Sequence, residues 1–370
     1  MVRELPLSGL PASCKDVWPS QAMTQAAGQL RAILDEVSAD QLVRSAATRH
    51  RIEGAVLALD AALTPQGSRI APLSPVRLGA SVGTVGEDDG VNDASGDHRS
   101  TIDVDGCDLS IRITGSGRPA IVFLNSSGGD GSEWNHLRPL LPRDTTVVDY
   151  GRPGLAGSAP LSGGEAEREF GPRWAAEQLR GLLARAGVAP PYVLVSSSLG
   201  GWILSMYAAT WPEELAGAVM VDPTMRTAWP DEVVRRPVIE DGNNGGIRFP
   251  MGRSFEELRE APASPVARCV VVSSSVGRWL RDPPENPFYE PLTLDQVDEL
   301  WQDFQRDWAR HLSAIQVVAH SAGHFVHKDA PELVSLVISE VCCASRGDLP
   351  LQLSSRDLDE AGGHLASQLG

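Results

Sequence analysis

The chain has 370 residues, 42% hydrophobic and 22% charged, the make-up of a globular protein with one large α/β domain and an appendage, or two domains. A formal net charge of −16 at pH 7 repels nucleic acid and anionic membrane surfaces, so neither is expected as a partner. No run approaches the roughly 20 apolar residues of a membrane span, Met1 to Cys14 lacks the apolar core of a signal peptide, and five scattered cysteines without C-x-x-C spacing suit a reducing, cytoplasmic setting and no zinc site.

In chain order, residues 1–65 read as a helical hairpin. Ala27, Leu30, Ile33, Leu34 and Val37 share one helical face, Leu42, Ala46, Ile52, Val56 and Leu57 another, and Ser38-Ala39-Asp40 supplies the break. Residues 66–99 are rich in Gly, Ser, Pro and Asp and are expected to be a flexible linker. From Ser100 the pattern changes. Ile102 to Val104 and Leu109 to Ile113 alternate with period two around Asp105-Gly106, a hairpin signal. Continuous apolar runs follow at Ala120–Leu124, Thr145–Asp149, Tyr192–Val195, Ala218–Val221, Val270–Val272 and Ile315–Ala319, as strands buried on both faces should show. Helical stretches separate them at Glu165–Ala186, Leu199–Trp211, Leu294–Ser313 and Pro331–Val341. This alternation predicts an α/β domain over 100–345, a mostly parallel sheet with helices on both faces, followed by a C-terminal tail at 346–370. Residues 223–265 are long for a connection and are expected to form a short lid.

Ligand sites in such sheets lie at the carboxyl ends of the strands, and polar residues collect there. Val193-Leu194-Val195-Ser196-Ser197-Ser198-Leu199-Gly200-Gly201 runs from a buried strand through a small-residue turn into a helix. That is the setting of a nucleophile elbow, with the usual G-x-S-x-G appearing as Ser196-x-Ser198-x-Gly200. The hydroxymethyl of Ser196, where glycine is usual, is expected to press on the turn. Asn125-Ser126-Ser127-Gly128-Gly129 follows the first parallel strand and can present backbone N–H groups to an oxyanion. Asp222-Pro223 ends the strand after the elbow helix, and His320-Ser321-Ala322-Gly323-His324 follows the last apolar run. Each residue also has an ordinary reading: Ser198 as a turn former, Asp222 as a turn initiator before Pro223, His324 as a surface histidine. Arg152 reads as structural, paired with a carboxylate or carbonyls, and Trp134, Trp202 and Trp229 as core before pocket.

Taken together, Tyr150-Gly-Arg-Pro-Gly-Leu-Ala-Gly-Ser158, Pro191 to Gly201 and Ser321-Ala-Gly-His324-Phe resemble the α/β-hydrolase superfamily, especially its bacterial serine esterase-like members, over about residues 100–343. The resemblance implies the α/β-hydrolase fold and a catalytic triad of Ser198 as nucleophile, His324 as base and Asp222 as acid. It places the oxyanion hole at the N–H groups of Leu199 and Ser127. The family's commoner acid position, after Val270–Val272, holds no carboxylate here; Asp282 is the nearest and lies past the strand end. The implied activity is hydrolysis of a carboxylic ester or thioester through an acyl-enzyme, with a small-molecule acyl substrate and no metal or organic cofactor. Two alternatives stay open: a polyketide-type thioesterase or cyclase, and a non-hydrolytic cyclase, lyase or binding member of the fold. The N-terminal helices lie outside the stretch that carries the resemblance and are expected to serve homodimerisation, partner docking or packing on the lid.

Overall fold

The computed structural model describes residues 99–161, 169–228, 238–242, 245–262, 265–284 and 289–366. The helical hairpin expected over 1–65, nearly all of the linker and Trp229 lie outside the described residues. Strands β1 (Arg99–Val104) and β2 (Cys107–Thr114) form the antiparallel hairpin that the alternation predicts. Its two turn residues, Asp105 and Gly106, have φ of 53° and 90°, as a two-residue hairpin turn of this hand requires.

The chain then alternates through β3 (Ala120–Leu124), β4 (Val147–Tyr150), α1 (Pro172–Arg185), β5 (Tyr192–Ser197), α2 (Gly200–Thr210) and β6 (Leu215–Val221). An insertion follows, with a small antiparallel pair, β7 (Val238–Glu240) and β8 (Arg248–Pro250), and helix α3 (Met251–Glu260). The remaining elements are β9 (Cys269–Ser273), α4 (Arg278–Arg281), α5 (Leu294–Leu312), β10 (Ile315–Ala319), α6 (Val326–Asp329), α7 (Pro331–Arg346), α8 (Ser355–Glu360) and β11 (Gly363–Leu365). Among the described residues the main sheet has nine strands in the order β1-β2-β4-β3-β5-β6-β9-β10-β11. The six from β4 to β10 run parallel, while β1, β2 and β11 pair antiparallel at the edges.

Successive side chains of the central strands point to opposite faces, and each face has its own core. Val122, Leu124 and Leu194 join one core with Leu179 of α1 and Trp202 and Met206 of α2. Ile121, Phe123, Val193 and Val195 join the other with Val334, Ile338 and Val341 of α7. Both cores make β3 apolar throughout and β5 apolar from Tyr192 to Val195, which is why these strands read as unbroken runs in the sequence.

Two sequence expectations shift. The helix expected from Glu165 starts at Pro172, where proline's missing N–H costs nothing in the first turn, and 162–168 lie outside the described residues. The segment expected as a tail after 345 carries α8 and β11, and β11 pairs with β10 to complete the sheet edge. Between β9 and β10, α4 and α5 bring Trp279, Val297, Trp301 and Phe304 to pack with Met225 beyond β6.

The chain leaves β3 for β4 on one side and returns through α1 to β5 on the other. A crevice opens at the carboxyl ends of strands where the winding direction reverses in this way. The loop after β3 and the turn after β5 meet there, because Leu124 pairs in register with Ser196 and Ser197 with Val221.

Candidate active site

Ser198 occupies the turn between β5 and α2 with φ of 51°, a left-handed conformation rare for residues other than glycine, asparagine and aspartate. The turn is held on both sides: its N–H donates to the Val221 carbonyl at 3.2 Å, and its carbonyl accepts from Gly201 N at 3.0 Å and Thr224 N at 3.1 Å. Gly200 is required by close approach, since a Cβ there would run into the Leu124 carbonyl oxygen and lie 3.0 Å from that of Asn125. Ser196 is accommodated inside β5, paired with Leu124 and Met220, and fully buried. The left-handed residue is Ser198, and Ser196 sits in extended strand before the tight turn begins.

Three sequence-predicted residues meet here. His324 Nε2 lies 2.9 Å from Ser198 Oγ, and its Nδ1 lies 2.8 Å from Asp222 Oδ2. An Nδ1–H donated to the carboxylate leaves Nε2 as the acceptor for the serine proton. Asp222 ends β6 in a left-handed conformation of its own, φ 41°, with its N–H bonded to the Val272 carbonyl at 2.8 Å. Its fully buried carboxylate accepts from Ser274 N at 2.9 Å and from Trp301 Nε1 at 3.0 and 3.1 Å. The Arg278 guanidinium stands 3.7 Å from Oδ2, over the rings of Trp279 and Trp301, 4.2 and 4.6 Å from their centroids. Burial alone would push the Asp222 carboxyl up; Arg278, the His324 ring and the Ser274 N–H outweigh it and hold the carboxyl below its ordinary range. Asp282 is 61% exposed and paired with Arg281.

The loop after β3 is fixed by a buried polar network. Glu133 accepts from Ser126 N at 2.7 Å and Ser126 Oγ at 2.5 Å, while Asp241 accepts from Gly128 N at 2.8 Å. Gly129 N bonds to the Ser126 carbonyl at 3.1 Å. Between these occupied donors, the N–H of Ser127 has no partner among the described residues, and neither does that of Leu199. The two expected oxyanion donors are thus uncommitted; Ser127 is exposed and Leu199 buried.

Arg152 has the structural role its sequence context suggests. It pairs with Asp241 at 2.5 and 3.0 Å and donates to the carbonyls of Asn125 at 2.9 Å and Ser126 at 2.6 Å. Burial would depress this guanidinium, but Asp241 beside it holds its pKa above the ordinary value. Asp241 comes from the insertion, so one buried ion pair ties the insertion to the loop after β3. Arg152→Met would strand the Asp241 carboxylate and is expected to cost about 3–5 kcal/mol in urea unfolding. The Arg152→Met/Asp241→Leu double variant should recover much of that loss.

Trp134 and Trp202 are core residues: each is fully buried, with its indole N–H on Asn125 Oδ1 and the Met225 carbonyl respectively, both at 2.8 Å. Sequence reasoning missed Trp301, Arg278, Glu133, Asp241 and Thr224. The last four have no motif around them, and Trp301 sits on an apolar helix stripe like any core tryptophan.

The chain belongs to the alpha/beta hydrolase family, whose sequence profile matches residues 121–335. Bacillus subtilis YqjL, an uncharacterized protein, is 25% identical over 262 residues, 66% of this chain and 92% of YqjL. A pyrrolizixenacetamide deacetylase of Xenorhabdus hominickii is 32% identical over 114 residues, 30% of this chain and 40% of the deacetylase. Among solved structures, a thermophilic esterase from Thermogutta terrifontis aligns over 67% of this chain and 99% of its own, with 18% identity and a TM-score of 0.47. Among the described residues, no helix is long and apolar enough to cross a membrane.

Proposed function

We propose that this chain is a serine hydrolase that cleaves a carboxylic ester or thioester through an acyl-enzyme on Ser198. The observation that carries the reading is the continuous hydrogen-bonded line Ser198–His324–Asp222, at 2.9 and 2.8 Å, on an elbow at the sheet's switch point. Ser198 Oγ attacks the acyl carbon while its proton passes to His324 Nε2. Asp222 keeps the ring oriented and offsets the imidazolium charge. The carbonyl oxygen, now an oxyanion, is received by the free N–H groups of Leu199 and Ser127, each worth roughly 2.7–4 kcal/mol in the transition state. Collapse expels the alcohol or thiol, which takes the proton back from His324. Water then repeats the sequence on the acyl-enzyme and returns the serine.

The likeness to a named deacetylase adds an acetamide to the acyl groups worth testing. The test is turnover of 4-nitrophenyl butyrate, a butyryl thioester and an aryl acetamide by the purified chain. Release of product from at least one acyl donor, with butyrylated protein trapped on acid quench, is the expected result. A folded protein that turns over none and traps no acyl group would overturn the assignment.

A further inference from the structure

Helix α5 turns one stripe of side chains, Trp301, Gln305 and Trp308, onto three consecutive residues beyond β6. Their spacing of four and then three keeps them on one helical face. Trp308 Nε1 donates to the Thr224 carbonyl at 2.8 Å, Gln305 Nε2 to that of Pro223 at 3.0 Å, and Trp301 Nε1 to the Asp222 carboxylate. Gln302 donates to the Ser274 carbonyl at 3.4 Å, on the residue whose N–H also holds Asp222. The helix is fixed at its start by a capping box between Thr293 and Gln296. At the far end of the stripe, Thr224 carries a hydroxyl 3.1 Å from Ser198 Oγ.

Trp301 differs from the other two because it donates to a side chain. Its one N–H stands 3.0 Å from Asp222 Oδ1 and 3.1 Å from Oδ2. Ser274 N alone would pin Oδ1 and leave Oδ2 free to swing about that contact. A second donor that reaches both oxygens nearly equally fixes the plane of the carboxylate, and Oδ2 then faces His324 Nδ1 at 2.8 Å. The same indole packs edge-on against the imidazole, ring centroids 5.6 Å apart at 79°. It is buried, and Trp279 and the Arg278 guanidinium pack against it.

We propose that Trp301 is a positioning residue of the triad: its indole N–H sets the plane of the Asp222 carboxylate and, through it, the orientation of the His324 ring. The proposal rests on the acyl-enzyme reading given above. His324 takes a proton in both halves of that reaction, from Ser198 and then from water, so a misaligned ring slows acylation and deacylation alike. Equal slowing leaves the ratio of the two steps, and with it KM, unchanged. No proton leaves the indole.

The test uses the full chain and 4-nitrophenyl butyrate. Trp301→Phe keeps an aromatic ring and removes the donor. Benzothienylalanine in place of Trp301 keeps the bicyclic shape and exchanges the N–H for sulfur. Both should lower kcat by on the order of 30-fold with KM within about threefold, the loss of one hydrogen bond to a charged group. The proton resonance of His324 Nδ1–H, downfield and protected from solvent in the unsubstituted protein, should broaden by exchange in both. In an Asp222→Ala background, where no carboxylate remains to be oriented, Trp301→Phe should change kcat by less than about threefold. An equal fall with and without Asp222 is the mark of packing alone and overturns the proposal. So does an unchanged kcat, or an unchanged Nδ1–H resonance, in the benzothienylalanine protein, and these two readouts decide even if Asp222→Ala does not fold. Absence of turnover by the unsubstituted protein would overturn the hydrolase reading and this proposal together; normal turnover that the Trp301 variants share overturns this one alone.

Discussion

Ser198→Ala is expected to lower kcat for ester hydrolysis by on the order of 10⁶-fold, the loss typical of removing a serine nucleophile whose base and acid stay in place. The fold should survive the change. Among the described residues the Ser198 side chain bonds only to His324 and Thr224, and the turn is held by backbone bonds to Val221, Gly201 and Thr224 that alanine keeps. Alanine must still adopt φ near 51°, so a small fall in melting temperature is expected beside the large fall in rate. Steady-state rates and thermal melts of the purified variant separate the two effects. A variant that keeps more than about 1% of the activity would show that another group attacks the substrate.

Asp222→Asn should cost roughly 10⁴ in kcat, because an amide cannot hold the Nδ1–H tautomer as a carboxylate does. It should also destabilise the fold. Among the described residues, the polar partners of this carboxylate are all donors: Trp301 Nε1, Ser274 N, His324 Nδ1 and the nearby Arg278. An asparagine NH₂ would face one of them and leave Arg278 buried with less compensation, a loss of about 3 kcal/mol at neutral pH. Because the folded Asp222 pKa lies below its unfolded value, its contribution is fully present above the ordinary carboxylate range of about 4. It is lost as pH falls through the lower folded pKa. Urea unfolding at pH 7 and pH 3 should therefore show a wider gap between the two proteins at pH 7 than at pH 3. Equal gaps would mean that Asp222 is not held ionised by its neighbours.

The parts of the molecule legible in the sequence are those written in local pattern. β3, β5 and β9 sit between two cores, so every residue is apolar or small, and the runs stand out. Ser198, Asp222 and His324 were findable because each is a polar residue just beyond such a run, at the edge where a doubly wound sheet gathers its loops. β11 was not legible: three residues, Gly363-His364-Leu365, carry no periodicity, and their strand character comes from pairing with β10. The supporting shell was hidden for a different reason. Trp301 meets Asp222 across 79 positions and Arg152 meets Asp241 across 89, and no spacing rule links residues that distant. Thr224 lies only two residues past Asp222, yet its meaning depends on the backbone turning it back toward Ser198. Ser196 looked like a departure that would press on the elbow. The structure places it in extended strand, which continues to Ser197, and the left-handed residue of the turn is Ser198.

Covalent labelling bears directly on the proposal that Ser198 Oγ is the nucleophile, activated by His324. The most direct measurement is intact and peptide mass after exposure to one equivalent of a fluorophosphonate, for the unsubstituted chain, Ser198→Ala and His324→Gln. A single adduct on Ser198 is expected, none on the alanine variant, and labelling slowed by at least about 10³-fold without the histidine. A folded chain that stays unlabelled, or one labelled at another residue and equally in Ser198→Ala, would contradict it.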